Sequence, residues 1–122
     1  MSEALTRARR VGSEAALVGF KWDTIAGPLA KVDEELAELR EAIDGDDVAA
    51  LRHELGDLLF AVVNVARHLE IPPAVALNAA TDRFEARYGH VAAALEARGV
   101  RFEDTVETEL NRLWAAAKRA VG

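Results

Sequence analysis

The sequence predicts an all-α protein, an antiparallel bundle of about five helices in a single domain that covers residues 1–122. Alanine, leucine, glutamate and arginine dominate, β-branched alternation is absent, and glycine or proline separates successive amphipathic segments. With 51% apolar and 30% charged residues, the composition is typical of a globular chain and not of a disordered one. A chain of 122 residues is long enough for one domain with its own hydrophobic core.

The first two helices flank an aromatic turn. The first is predicted from roughly Glu3 to Val18, and it ends before a Gly-Phe-Lys-Trp segment at residues 19–22. Asp23 or Thr24 can cap the second helix, which runs to about Ile43 with Pro28 near its first turn, where proline is tolerated. The apolar residues of this second helix recur at three- and four-residue steps: Leu29, Val32, Leu36, Leu39 and Ile43.

A short acidic turn joins the second helix to the third. Gly45 is predicted to end the second helix, and Asp47 to cap the third, which runs from about Asp47 to Leu69. The third helix is apolar over much of its circumference, so we expect it to be central. Four leucines are expected to hold it against the core: Leu51, Leu55, Leu58 and Leu59.

Proline and glycine also delimit the last two helices. Pro72 or Pro73 suits the start of a fourth helix, which reaches about Arg98 before Gly99 ends it. A fifth helix follows a short linker and covers about Asp104 to Val121. No tandem repeat or low-complexity linker interrupts this order.

Composition and charge exclude several classes of protein. The absence of cysteine removes disulfides, thiolate nucleophiles and cysteine-type zinc sites. The first residues do not have the pattern of a signal peptide, and no apolar run approaches the roughly 20 residues that a membrane span needs. We therefore expect a cytoplasmic protein that does not bind membranes.

The negative charge is concentrated in one stretch. Residues 31–57 contain ten acids and three bases, whereas the rest of the chain is close to neutral. A nucleic-acid binder would carry a basic stripe instead, so we expect no nucleic-acid partner. A local acidic cluster indicates a bound cation.

Four carboxylates are predicted to face one another across the acidic turn. Glu35 and Glu38 are three residues apart, as are Glu54 and Asp57, so each pair shares one helix face. Both cross-pairs, 35 with 57 and 38 with 54, are symmetric about residue 46. A tight hairpin there brings the four carboxylates together, with about 4.5 Å between the two levels along the axis.

Carboxylates that converge in this way repel one another unless some are protonated or a cation is bound. Oxygen ligands without cysteine or histidine point to Mg²⁺ or Mn²⁺. Glu34 adjoins this site, as a general base that activates water or as an outer charge. The alternative is that the acids form a solvated helix face, which is the usual role of a single Glu-x-x-Glu pattern. Gly56, inside a helix, suggests that a neighbouring backbone or ligand approaches closely.

Positive and aromatic residues elsewhere could hold a phosphorylated substrate. Arg83 and Arg87 are one helical turn apart, and Lys31 precedes Glu35 by one turn. Trp114 could stack on a base while Lys118, one turn later, contacts phosphate. The further residues considered are Asn64, as a hydrogen-bonding group on the face of Asp57, and the histidines His53, His68 and His90, to which we assign no functional role.

These motifs resemble those of the MazG nucleotide pyrophosphohydrolases. The family signature, EExxE followed by ExxD, occurs here as Glu34-Glu35-x-x-Glu38 and Glu54-x-x-Asp57, inside the segments KVDEELAELREA and HELGDLLFAVVNVARHL. The resemblance extends over nearly the whole chain, through GFKW, DRFEARYGHVAAALEARG and LWAAAKR. Thr81-Asp82-Arg83-Phe84 and Phe20-Lys21-Trp22 depart from the family's common Asn-x-Lys-Phe and Phe-Asp-Trp, which bears on substrate preference.

The resemblance implies an all-α homodimer that hydrolyses nucleoside triphosphates between the α and β phosphates. It implies Mg²⁺ bound by residues matching Glu35, Glu38, Glu54 and Asp57. It also implies triphosphate contacts at Lys31, Arg83 and Arg87, and nucleotide contacts at Trp114 and Lys118. The competing hypothesis from another class is a non-catalytic helical dimer that binds nucleotide or a protein partner.

Overall fold

The protein is helical throughout the part that the structure, a computed structural model, describes, namely residues 2–122. The predicted all-α class is confirmed, and no strand occurs in this part of the chain. One short 3₁₀ helix, Phe102–Asp104, accompanies five α-helices: α1 Ser2–Leu17, α2 Ala26–Gly45, α3 Val48–His68, α4 Pro73–Arg98 and α5 Glu107–Ala120.

The connection between α2 and α3 is only two residues long. Asp47 caps α3 as predicted, because its Oδ1 accepts a hydrogen bond of 3.0 Å from the backbone N–H of Ala49. Gly45 ends α2 as predicted, but the C-cap residue is Asp46 and not the glycine. Gly45 is the last helical residue, and Asp46 adopts the left-handed conformation with φ 56°. A short polar side chain such as aspartate tolerates this region better than most residues do.

The starts of two helices also differ from the prediction. The N-cap residue of α2 is Ile25, and it makes no side-chain cap hydrogen bond, so neither Asp23 nor Thr24 caps the helix. The fifth helix begins at Glu107 and not near Asp104, because the 3₁₀ turn precedes it. At the C-terminal end of α4, Gly99 has φ +67° and ends the helix as expected.

The chain divides into two compact units, one ending at Ala76 and the other beginning at Leu77. In the first unit α3 packs against both α1 and α2, which confirms its central place there. Gly12 allows the close approach of α1 to α3, because a Cβ atom at this position would lie 2.8 Å from Oδ1 of Asn64. Because α2 and α3 pack closely and only two residues join them, they run antiparallel.

The outer face of α3 is more exposed than the leucine pattern predicts. Leu51 and Leu58 are partly buried, but Leu55 and Leu59 are 49% and 56% exposed. The prediction that these two leucines pack into the core of the chain is therefore wrong. Helical periodicity identifies an apolar face but does not tell whether the same chain covers it.

The second unit has its own small core. Val91 and Leu95 of α4 pack with Leu113 and Ala117 of α5, and Trp114 lies against this cluster. An ion pair of 2.7 Å between Arg98 and Glu109 joins the same two helices at their exposed side.

Helix length and polarity bear on membrane insertion. Among residues 2–122 no single helix is long and apolar enough to cross a membrane. Only α3 and α4 taken together, as one bent span, reach the required length and composition.

Candidate functional site

The first part of the site is a group of acids on α2. Glu34, Glu35 and Glu38 each offer a carboxylate oxygen within 4.8 Å of the others. The Glu35 side chain is 8% exposed, and its Oε2 is buried without a hydrogen-bond partner. Lys31 Nζ lies 2.7 Å from Glu34 Oε2 and 3.6 Å from Glu35 Oε1. One lysine thus offsets only part of the negative charge of this group.

The second part is a group on α3 that contains a histidine as well as two acids. His53, Glu54 and Asp57 offer ligand atoms within 4.8 Å of one another. The Nε2 atom of His53 lies 3.2 Å from Asp57 Oδ2 and 3.8 Å from Glu54 Oε1. The Oε2 atom of Glu54 is buried without a hydrogen-bond partner. His53 is assigned no functional role from the sequence, and its four-residue spacing from Asp57 is the only local signal of their proximity.

The two groups influence each other electrostatically across the hairpin. The pKa of Glu38 lies above its usual value, chiefly because of the negative charge of Glu35, then because of lost hydration and the charge of Glu54. The influence of Glu54 on Glu38 agrees with the predicted cross-pairing about residue 46. The structure therefore arranges the acids as two neighbouring groups, one on each helix.

Both groups meet at a cavity. Its volume is about 370 Å³, and Glu35 and Asp57 contribute its acidic wall. Lys31 and Asn64, both predicted from the sequence, also line it. The rest of the wall is apolar and comes from Phe20, Trp22, Phe60 and Ala61. The three aromatic rings of this wall are not predicted from the sequence, where base stacking is expected at Trp114 instead.

Glycine at one position makes room for the aromatic wall. A Cβ atom at Gly27 would lie 2.2 Å from Cδ1 of the Trp22 indole, so any larger residue would displace the ring. Asn64 is held from the other side, because its Oδ1 accepts a hydrogen bond of 3.5 Å from Arg67 Nε. Gly56 is different, since a Cβ there would meet nothing within 4 Å, so the expected close approach does not occur within this chain.

The buried oxygens fit a divalent cation. Two carboxylate oxygens without any donor, Oε2 of Glu35 and Oε2 of Glu54, are costly to bury unless another group satisfies them. Carboxylate oxygens are the hard ligands that divalent cations such as Mg²⁺ bind. The acidic groups of α2 and α3 are thus able to bind a metal ion.

The remaining predicted residues lie in the second unit. Arg87 donates from Nε to the Val121 carbonyl at 3.3 Å and from Nη2 to the Gly122 carbonyl at 3.1 Å. Trp114 packs on Phe84, with 5.3 Å between ring centroids. The other two predicted residues, Arg83 and Lys118, are exposed.

Comparison with known proteins supports the family resemblance of the motifs. The family model described as the MazG nucleotide pyrophosphohydrolase domain matches residues 24–113. The nucleoside triphosphate pyrophosphohydrolase/pyrophosphatase MazG of Thermotoga maritima is 39% identical over 115 residues, which are 94% of this chain and 44% of that protein. The nucleoside triphosphate pyrophosphohydrolase of Escherichia coli K12 is 38% identical over 121 residues, 95% of this chain and 45% of that protein. The chain thus spans less than half the length of these two relatives.

A third relative matches a shorter segment. The uncharacterized protein YabN of Bacillus subtilis is 38% identical over 68 residues, which are 56% of this chain and 14% of that protein. The resemblance inferred from the acidic motifs is confirmed by these matches.

Proposed function

We propose, since this chain belongs to the MazG nucleotide pyrophosphohydrolase domain family, that it hydrolyses nucleoside triphosphates to nucleoside monophosphate and pyrophosphate with the help of Mg²⁺, for which Mn²⁺ can substitute. The observation that carries the proposal is the pair of buried, unpartnered carboxylate oxygens beside a cavity with an acidic and an aromatic wall. The names of the two longer relatives support the class of substrate.

Four carboxylates are the proposed metal ligands. They are Glu35 and Glu38 of α2 with Glu54 and Asp57 of α3. When bound there, a divalent cation supplies Lewis-acid stabilisation of charge on the phosphate oxygens. The protein contributes a fixed arrangement of these oxygens, because the short hairpin connection holds the two helices in register.

Lys31 and Glu34 are proposed to act in sequence. Their side chains form an ion pair of 2.7 Å, and both are accessible, at 42% and 56% exposure. Lys31 also lines the cavity. A triphosphate oxygen attracts the lysine ammonium away from Glu34, and the freed carboxylate then accepts a proton from the attacking water. Lys31 would thereby neutralise charge on the substrate while Glu34 serves as the general base.

The aromatic wall is proposed to bind the nucleobase. Phe20, Trp22 and Phe60 offer flat apolar surfaces, and Asn64 offers both a donor and an acceptor. Stacking on aromatic rings accepts any base, whereas the amide can discriminate among bases. The residues that the family resemblance suggests as further substrate contacts are Arg83, Arg87, Trp114 and Lys118.

The active form is proposed to be a homodimer. Along α3 and its C-cap residue Leu69, four apolar residues recur at three-, four- and seven-residue steps, and each is about half exposed: Leu55, Leu59, Val62 and Leu69. A second copy covering this face would bury apolar surface that the described chain leaves in water. Leu59→Asp should then shift the protein to monomers in sedimentation, while an unchanged dimer would assign the interface to another face.

Product analysis tests the proposed reaction. We expect nucleoside monophosphate and pyrophosphate in ³¹P NMR spectra after incubation of the protein with deoxynucleoside triphosphates and Mg²⁺. A nucleoside diphosphate with orthophosphate would contradict cleavage between the α and β phosphates. Nucleotide binding without turnover in the presence of any divalent metal would support a non-catalytic binding protein instead.

A cytoplasmic location is proposed because the substrates are made and consumed there.

A further inference from the structure

His53 places a ring nitrogen at the edge of the acidic site. Its Nε2 lies 3.2 Å from Asp57 Oδ2 and 3.8 Å from Glu54 Oε1, so the nitrogen faces two proposed metal ligands. The side chain is 68% exposed. An imidazole thus lies beside two of the four proposed carboxylate ligands, although the proposed ligand set does not include it.

The distances are compatible with ligands that share one cation. Neighbouring ligands in an octahedron with bonds of about 2.1 Å lie about 3 Å apart. The separation of His53 from Asp57 is close to this value, and the separation of His53 from Glu54 is within a small side-chain adjustment.

An ion pair between His53 and Asp57 leaves one observation unexplained. The Oε2 atom of Glu54 is buried and has no donor, although the imidazole lies beside the other oxygen of the same carboxylate. The Glu35 side chain, which lines the same cavity as Asp57, is more than nine-tenths buried and also has an oxygen without a partner. A cation bound among these groups satisfies the orphaned oxygens, which the ion pair does not.

We propose that His53 is a nitrogen ligand of the metal held on α3, together with Glu54 and Asp57. The inference rests on the proposed metal site and adds to it a mixed set of nitrogen and oxygen donors. Imidazole favours Ni²⁺, Co²⁺ and other transition metals, whereas Mg²⁺ prefers oxygen ligands. The site should therefore bind transition metals with a selectivity over Mg²⁺ that depends on His53.

Nitrogen ligation can be observed directly with Mn²⁺ alone. Electron spin-echo spectra of the Mn²⁺-loaded protein should show ¹⁴N modulation from an imidazole, and His53→Gln should remove it. His90→Gln is the matched control, because His90 is an exposed histidine in the second unit and should leave the signal unchanged. His53→Glu serves as a second variant, which restores a donor oxygen and should bind Mn²⁺ without ¹⁴N modulation.

Calorimetry gives an independent measure of selectivity. With Ni²⁺ and Mg²⁺ titrated separately, His53→Gln should weaken Ni²⁺ binding more than Mg²⁺ binding, because imidazole favours Ni²⁺ and Mg²⁺ prefers oxygen ligands. We expect the ratio of the two affinities to fall at least about tenfold, since loss of a group that only orients a ligand already costs about 10- to 100-fold in affinity. Mn²⁺ bound without ¹⁴N modulation, or with modulation that persists in His53→Gln, would overturn the role of His53 and leave the carboxylate site standing. No binding of Mn²⁺ to the unmodified protein would overturn both.

Discussion

The Glu35→Gln variant should be more stable than the unmodified protein in the absence of metal and less stable than it when metal is bound. Glu35 is 6% exposed, and one of its carboxylate oxygens has no hydrogen-bond partner. Its nearest cation, Lys31, is 3.6 Å away and 42% exposed. Without metal, the buried negative charge therefore opposes folding, and glutamine removes that charge while nearly keeping the shape.

The expected magnitude follows from two opposing contributions. A buried group without a partner costs about 1–3 kcal/mol, and more when it is charged. The partly exposed pair with Lys31 contributes only about 0–1 kcal/mol. Glu35→Gln should thus raise the free energy of unfolding by about 1–2 kcal/mol in the presence of a chelator. The new amide can also donate to Glu38, which lies close enough to Glu35 for its pKa to be raised.

Metal should reverse this order. A cation at 100 times its dissociation constant stabilises the unmodified protein by about 2.7 kcal/mol, whereas the variant has lost a ligand and gains much less. Urea unfolding followed by circular dichroism, in chelator and in Mn²⁺, measures both effects. Glu41→Gln is the control, since Glu41 is an exposed acid on the same helix. A variant that is less stable than the unmodified protein in chelator, or that gains equally from Mn²⁺, would refute the reasoning.

Three further predictions concern the base, the aromatic wall and pH. Glu34→Gln should lower kcat by about 10²–10⁴-fold if Glu34 is the general base, yet leave Mn²⁺ affinity nearly unchanged in calorimetry; an equal loss of both would make it a ligand. Gly27→Ala should displace Trp22, because the added Cβ would lie 2.2 Å from its ring, and should raise KM and change the tryptophan fluorescence; unchanged emission and KM would contradict this packing. The pKa of Glu109 is lowered from its usual 4.5 to about 2 by hydrogen bonds from two arginines, so its contribution to stability is present above pH 4.5 and is lost as the pH falls towards 2. The stability difference between the unmodified protein and Glu109→Gln should shrink over that range in urea titrations, and a constant difference would contradict the assignment.

The features predicted best from sequence are those set by local chemistry. The capping side chain of Asp47 and the break at Pro73 act within one turn of the chain, so spacing alone identifies them. The coupling of Glu38 with Glu54 also follows from sequence, because a two-residue connection leaves antiparallel helices little freedom of register.

The features that sequence did not predict depend on contacts between distant segments. The Phe20 and Trp22 side chains join the acidic cavity only because the turn after α1 folds back towards α3, and no periodic pattern reports that approach. Leu55 and Leu59 were assigned to the core because helical spacing is the same for a face covered by its own chain and for one left exposed. The local signal for His53, its spacing from Asp57, was present but looks like that of any surface ion pair.

The position of the acids explains why the hairpin tolerates so much negative charge. If the four carboxylates served only to keep a helix face in water, Glu35 would have no reason to be 6% exposed or to hold an oxygen without a donor. Solvated acids would instead avoid burial, as the exposed Glu41 on the same helix does. Burial without a protein partner is costly in the metal-free chain and becomes favourable when a cation binds. The same geometry therefore predicts a protein that is less stable without metal than its charge-neutralised variants, and more stable than those variants with it.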